Sequence, residues 1–167
     1  MKPSRRNPTE GAFETALRLL ARREHIRAQV RRKLAARGYS APEIEDALTR
    51  LVGLSYVDDS RFARLLVRER LLRRGRGFAD ARASLRTAGV DEETAREALD
   101  EARAEADGMT LCREAARRKA RTLREADPRR RREKLGRFLA SRGFEAEMIA
   151  AVLDGLDEPE PEEDNEP

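Results

Sequence analysis

Acid–base chemistry near neutral pH calls most naturally on histidine, and the 167 residues hold a single one, His25. It stands at a break between helical patterns among arginines, a place that suits a solvated or helix-capping side chain better than a catalyst. Metal sites need clusters of histidine, cysteine or carboxylates, and the adjacent carboxylates at a link, Asp58 and Asp59, read as the N-cap of the helix that follows. The lone Cys112 excludes an internal disulfide, and its spacing with Leu111, Ala115 and Ala116 fits a buried helix face. The glycines form no GxxxxGK[ST] phosphate loop. Catalysis, a bound metal and a cofactor are therefore not expected.

Binding is the chemistry the remaining residues suit. Of 36 basic residues only Lys2, Lys33, Lys119 and Lys134 are lysine. A compositional bias of the genome could produce that ratio; the functional alternative is the planar guanidinium fork, which pairs in two-pronged fashion with carboxylates or phosphates. The strongest candidates for partner contact are the cluster Arg68, Arg70, Arg73, Arg74 and Arg76 and the cluster Arg129, Arg130, Arg131, Arg132 and Lys134. Phe13, Tyr39, Phe62, Phe138 and Phe144 all fall at expected core positions, so base stacking on interleaved aromatics is not expected. Seven acidic residues and no basic ones occupy the last eleven positions, and setting them aside leaves 36 basic against 25 acidic side chains. The body is strongly basic.

The elements that position these residues repeat. Leu34, Gly38, Tyr39, Ile44, Ala47 and Leu48 recur at one spacing as Leu85, Gly89, Val90, Ala95, Ala98 and Leu99, and again as Leu139, Gly143, Phe144, Ile149, Val152 and Leu153. The spacing predicts two helices meeting at a glycine, which takes the left-handed conformation that ends the first. Ser40 with Glu43 forms a capping box for the next helix, Asp91 does the same job in the second copy, and Glu145 is a poorer capper in the third. The glycines lie 51 and 54 residues apart, the mark of an array of like units.

Charged residues make up 41% of the chain and aromatics 4%, so each core is small and built from leucine and alanine. The sequence thus predicts an all-α fold, an elongated, curved array of three tandem three-helix repeats. Residues 1–9 read as disordered, 10–54, 58–104 and 109–156 as the repeats, and 157–167 as a disordered acidic tail. Within them Phe13, Ala16, Leu17 and Leu20 mark one apolar face, and Ile26, Val30 and Leu34 another. Phe62, Leu65 and Leu66 open the second repeat. Gly75-Arg76-Gly77 reads as a flexible turn, Gly108 as a separator, and Asp127-Pro128 as a helix start. The N-terminus lacks the apolar core of a secretory signal, and no stretch reaches membrane-spanning length. A reducing, cytoplasmic setting is the default.

The blocks ALRLLARREH at 16–25, KLAARGY at 33–39, YVDDSRFA at 56–63, RGRG at 74–77 and FLASRGF at 138–144 resemble the RecX family of bacterial regulators of the RecA recombinase. The likeness covers roughly residues 12–156 and lies in the order and spacing of the blocks. It implies tandem three-helix repeats and binding to RecA nucleoprotein filaments in their groove, and the chain is expected to be a monomer. Ile26 and Gln29 replace the serine and glutamate that usually cap the second helix, and Phe78 replaces a proline after RGRG. The helix-start cap is therefore lost or moved. By the resemblance, the protein inhibits ATP hydrolysis, strand exchange and co-protease activity, within recombination control, DNA repair and the SOS response.

Charge placement bears on the partner. The third helix of each repeat opens with acid (Glu43, Glu45 and Asp46; Asp91, Glu92 and Glu93; Glu145 and Glu147), which disfavours a DNA-reading helix in the major groove. Helices of this length are roughly 20 Å long, so three units end to end reach on the order of 60 Å, enough to bridge neighbouring subunits of a filament. The alternative is a helical protein that binds DNA phosphates directly, without sequence preference and without RecA.

Overall fold

The structure, a computed structural model, describes residues 11–157, so the expectations for residues 1–9 and for the tail beyond Asp157 lie outside it. Among the described residues there are nine α-helices and no strand: α1 (Ala12–Leu20), α2 (Arg27–Ala35), α3 (Ala41–Gly53), α4 (Asp59–Arg68), α5 (Phe78–Ala88), α6 (Glu92–Glu105), α7 (Gly108–Thr122), α8 (Pro128–Ala140) and α9 (Ala146–Asp157). α4 runs directly into a π-helical turn, Glu69–Arg73, closed by Arg74 N–H on the Glu69 carbonyl at 3.0 Å.

The repeated glycine does what its spacing predicts. Gly38, Gly89 and Gly143 have φ of 89°, 90° and 80°. In each copy the residue after the glycine donates its N–H to the carbonyl of the leucine five places back: Tyr39 to Leu34 (3.4 Å), Val90 to Leu85 (3.1 Å) and Phe144 to Leu139 (3.3 Å). This paired closure of the last helical turn brings the leucine and the following apolar residue onto one core, and all six are buried. A fourth copy ends α3 without glycine. Ser55 takes φ 57°, and Tyr56 N–H reaches the Leu51 carbonyl at 2.9 Å.

Several of the helix starts are set by polar side chains close in sequence. The Glu43 carboxylate accepts from the Ser40 N–H at 2.8 Å and from its hydroxyl at 2.7 Å, the capping box expected of those residues. Asp58 accepts from Arg61 N–H, Asp91 from Thr94 N–H and Asp127 from Arg130 N–H, each in the first turn of its helix. Those backbone donors also hold the Asp91 carboxyl below its usual pKa. Gly108 is the first residue of α7 rather than a separator, since Asp107 caps that helix through Met109 and Thr110 N–H.

The moved cap of α2 has a definite solution. Arg27 N–H, at the first position of α2, donates to Asp59 Oδ1 at 2.9 Å, and Arg27 Nε reaches Asp59 Oδ2 at 3.1 Å. A carboxylate 32 residues away thus replaces the missing local serine. Gln29 is turned inward instead, accepting from His25 Nδ1 at 2.9 Å and donating to the Ala88 carbonyl at 2.9 Å.

Packing divides the described residues into two compact units, one formed by residues 11–67 with Arg82–Glu101 and the other by Arg68–Ala81 with residues 102–157. Residues of the second repeat belong partly to each. In the first unit Ala12, Ala16, Val30, Leu34, Tyr39, Ile44, Ala47, Leu48, Leu51 and Val57 form the core, with Phe13, Leu17 and Leu20 half-buried against it. Thr15 and Tyr39 share a buried hydroxyl–hydroxyl bond of 2.7 Å. In the second unit α7, α8 and α9 pack on one another and bury Leu111, Cys112, Ala115, Ala116, Leu135, Leu139, Ile149, Val152 and Leu153. Burial raises the Cys112 thiol to about 11, which leaves it unreactive as a nucleophile.

One buried face differs from expectation. Along α4 and its π-turn the buried residues are Ala63, Val67 and Leu71; Phe62 and Leu66 are half-buried, and Leu65 and Leu72 are exposed. The buried residues keep a four-residue spacing, one position on from Phe62 and Leu66.

Candidate functional site

All ten candidate contact residues lie in the second unit, and the structure uses most of them internally. Arg70 and Arg76 both reach the Asp80 carboxylate, each at 3.5 Å, and Arg76 also donates to the Ser141 carbonyl at 3.2 Å. Arg68 pairs with Glu105 at 2.8 Å and Arg74 with Glu69 at 2.9 Å. Arg73 is exposed, with no ion pair among the described residues. On α8 consecutive positions point around the helix rather than to one side. Arg129 pairs with Glu133, Arg130 lies 4.0 Å from Asp127, Arg131 donates to the Ala120 carbonyl, Arg132 pairs with Asp154, and Lys134 with Glu125. That cluster is contiguous in sequence and dispersed in space.

The RGRG stretch is not a loose turn. Gly77 N–H donates to the Arg142 carbonyl at 2.8 Å, Arg76 N–H to the Arg70 carbonyl at 2.9 Å, and the Arg142 guanidinium to the carbonyls of Arg74 and Gly75. A Cβ on Gly77 would stand 2.1 Å from the Gly143 carbonyl oxygen, and one on Gly143 would stand 2.5 Å from Asp80 N. Two glycines 66 residues apart therefore let backbone meet backbone, and RGRG and SRGF interlock.

This docking assembles a site that the sequence reading did not single out. Arg74, Ala115, Arg118, Lys119, Thr122, Phe138 and Arg142 line a concavity of about 370 Å³, with four cations and no acid among them. Lys119 Nζ lies 5.4 Å and Arg142 Cζ 4.3 Å from the Phe138 ring centre. Arg118 and Lys119 have no ion pair among the described residues. Burial, then the charges of Arg76 and Arg118, lower the Arg142 pKa, with Asp80 opposing. Phe138 is thus a half-buried wall under two cations rather than the core residue expected. Phe13, with Arg50 Cζ 3.9 Å from its ring centre, is similar. Sequence position carried no signal for Arg142, since Arg37, at the equivalent place before Gly38, turns back on the Lys33 carbonyl of its own helix.

His25 is buried, not solvated. Burial lowers its pKa first, and the charges of Arg23 and Lys33 add to this against the Gln29 hydrogen bond. Because the Ala88 carbonyl can only accept, Gln29 Nε2 faces it, Gln29 Oε1 faces the imidazole, and His25 Nδ1 carries the proton. No group of three or more metal-ligating side chains occurs among the described residues, and no described helix is long and apolar enough to cross a membrane.

Profiles of the three domains of one family match the chain in order: RecX, first three-helix domain, over residues 12–51; second three-helix domain, over 58–99; third three-helix domain, over 105–153. The chain belongs to the RecX family. Among curated relatives it is similar to the Regulatory protein RecX of Pelodictyon phaeoclathratiforme, 38% identical over 160 residues, covering 93% of this chain and 98% of that one. The Regulatory protein RecX of Chromohalobacter salexigens is 41% identical over 140 residues, 84% of this chain and 89% of that one. The crystal structure of RecX from Lactobacillus salivarius has a TM-score of 0.67 at 24% identity, covering 87% of this chain and 94% of that one. A second crystal structure, of regulatory protein RecX, has a TM-score of 0.73 at 24% identity, covering 86% and 71%. These two likenesses show the RecX fold, and the family is one of regulatory proteins.

Proposed function

We propose that this RecX-family chain regulates the RecA recombinase, mainly as an inhibitor. It binds in the groove of the RecA–DNA filament as a monomer of the cytoplasm, performs no catalysis, and restrains ATP hydrolysis, strand exchange and co-protease activity. The observation that carries this reading is the presence of all three RecX domains in order along the chain. Tandem repeats with exposed arginines suit a partner that itself repeats, since one chain then holds neighbouring subunits together and resists the rearrangements that hydrolysis requires. Arg73, Arg129 and Arg130 are the members of the two clusters best placed for such contact, being exposed and not tied across the fold. Arg70 and Arg76 serve the RGRG turn.

The test is the ATPase rate of RecA on single-stranded DNA at fixed salt, with and without this protein. Hydrolysis falls when it is added, and Arg73→Glu with Arg129→Glu weakens that inhibition about tenfold while helicity is unchanged. An unaltered rate across a saturating titration sinks the reading. The concavity lined by Arg74, Arg118, Lys119 and Arg142 favours a second reading, direct DNA binding without RecA. That one is checked by DNA affinity in RecA's absence.

A further inference from the structure

Four cations from three separate segments meet over the turn between α4 and α5. Arg74 comes from the end of the π-turn, Arg118 and Lys119 from α7, and Arg142 from the end of α8. The point where a Gly75 Cβ would stand is 2.6 Å from Arg118 Nη2 and 3.8 Å from Arg142 Nη1, so two guanidinium groups converge on one spot. Among the described residues Arg74 alone of these four forms an ion pair, with Glu69. The Phe138 ring holds Lys119 and Arg142 in place without neutralising them.

We propose that this concavity is a phosphate-binding site, taking a phosphoryl group presented either by the backbone of a nucleic-acid strand or by a free polyphosphate. A carboxylate offers one charge and two oxygens, which satisfy a single guanidinium fork. A phosphate offers oxygens in several directions, matching donors that arrive from separate segments. At about 370 Å³ the space exceeds a bare phosphate and leaves room for the attached sugar or a second phosphoryl group. Arg142, whose own charge is disfavoured by burial and by its guanidinium neighbours, is relieved by an anion there. The site stands whether or not the chain acts on RecA.

The experiment uses the full chain, a fluorescent mixed-sequence single-stranded oligonucleotide, and tripolyphosphate. Arg118→Gln with Lys119→Gln removes two lining charges that do not hold the fold; Arg113→Gln with Arg121→Gln removes two from elsewhere on α7. In the first variant oligonucleotide affinity falls about tenfold, and the slope of log affinity against log salt flattens by about 1.4. The control pair changes affinity less than about threefold. Tripolyphosphate raises the melting temperature of the unaltered and control chains but not of the lining variant. An oligonucleotide effect identifies a strand as the source; a tripolyphosphate effect with oligonucleotide affinity unchanged identifies the free anion. Equal losses in both variants, or no change with either probe, overturn the site. So does lost RecA-filament binding with both phosphate probes unaffected, which would make the occupant a carboxylate.

Discussion

His25 is held neutral by its surroundings, and this sets a pH dependence that can be worked out in sign. The unfolded chain titrates it near the ordinary value of 6.5 and the folded chain lower, so the full stability is present above that value. As pH falls below 6.5 the unfolded state takes up the proton first. Each further pH unit then costs about 1.4 kcal/mol until the folded imidazole titrates too. Urea denaturation between pH 7.5 and 5 is expected to show this loss, and His25→Asn, whose amide nitrogen can keep the bond to Gln29, to flatten it. A profile identical in both chains would place the pH sensitivity elsewhere. With a single histidine in the sequence, its proton resonances give an unambiguous titration. None of this was readable from sequence, because the burying partners come from other helices and the Ala88 carbonyl is 59 residues away.

Among the elements, helix ends were legible and helix faces less so. A glycine that must take positive φ declares itself by spacing alone, and Gly38, Gly89 and Gly143 all do. They differ in what surrounds them. A Cβ on Gly38 meets nothing within 4 Å, so Gly38→Ala carries only the left-handed penalty, about 1 kcal/mol. Gly143→Ala adds a clash at 2.5 Å with Asp80 N, part of a backbone that cannot swing away, and is expected to cost about 2–4 kcal/mol. Chemical denaturation of the two variants side by side checks the difference; equal losses would mean that the RGRG turn yields easily. The left-handed Ser55, the Asp59 cap of α2 and the π-turn escaped the sequence because a serine, an aspartate and ERLLR fit ordinary turns and helices too. The face of α4 was misjudged for a related reason: large apolar residues attract attention, whereas the smaller Ala63 and Val67 are the ones at 0% exposure.

At the scale of the whole molecule, the family and the all-α repeat architecture were legible, and the charge clusters were legible only as clusters. Sequence counts arginines but cannot say that Asp80 absorbs two of them, or that Arg142 joins Arg118 and Lys119 from a distant segment. The surplus of basic over acidic side chains in the body still predicts a collective effect. Binding to any nucleic-acid-containing partner should weaken at least tenfold between about 50 and 200 mM salt, measured by titration at several concentrations. Affinity indifferent to salt would mean that apolar contact carries the association.

The backbone bond from Gly77 to Arg142 also has a bearing on biosynthesis. The chain leaves the ribosome N-terminus first, so the turn after α4 is made long before the carbonyl that closes it. Until the last repeat has emerged, the stretch is held only by the local bond from Arg76 N–H to the Arg70 carbonyl, and the Gly77 amide lacks its acceptor. A product that stops short of residue 142 is therefore expected to be cut at that stretch faster than the finished, latched polypeptide, which limited proteolysis of the two chains side by side checks.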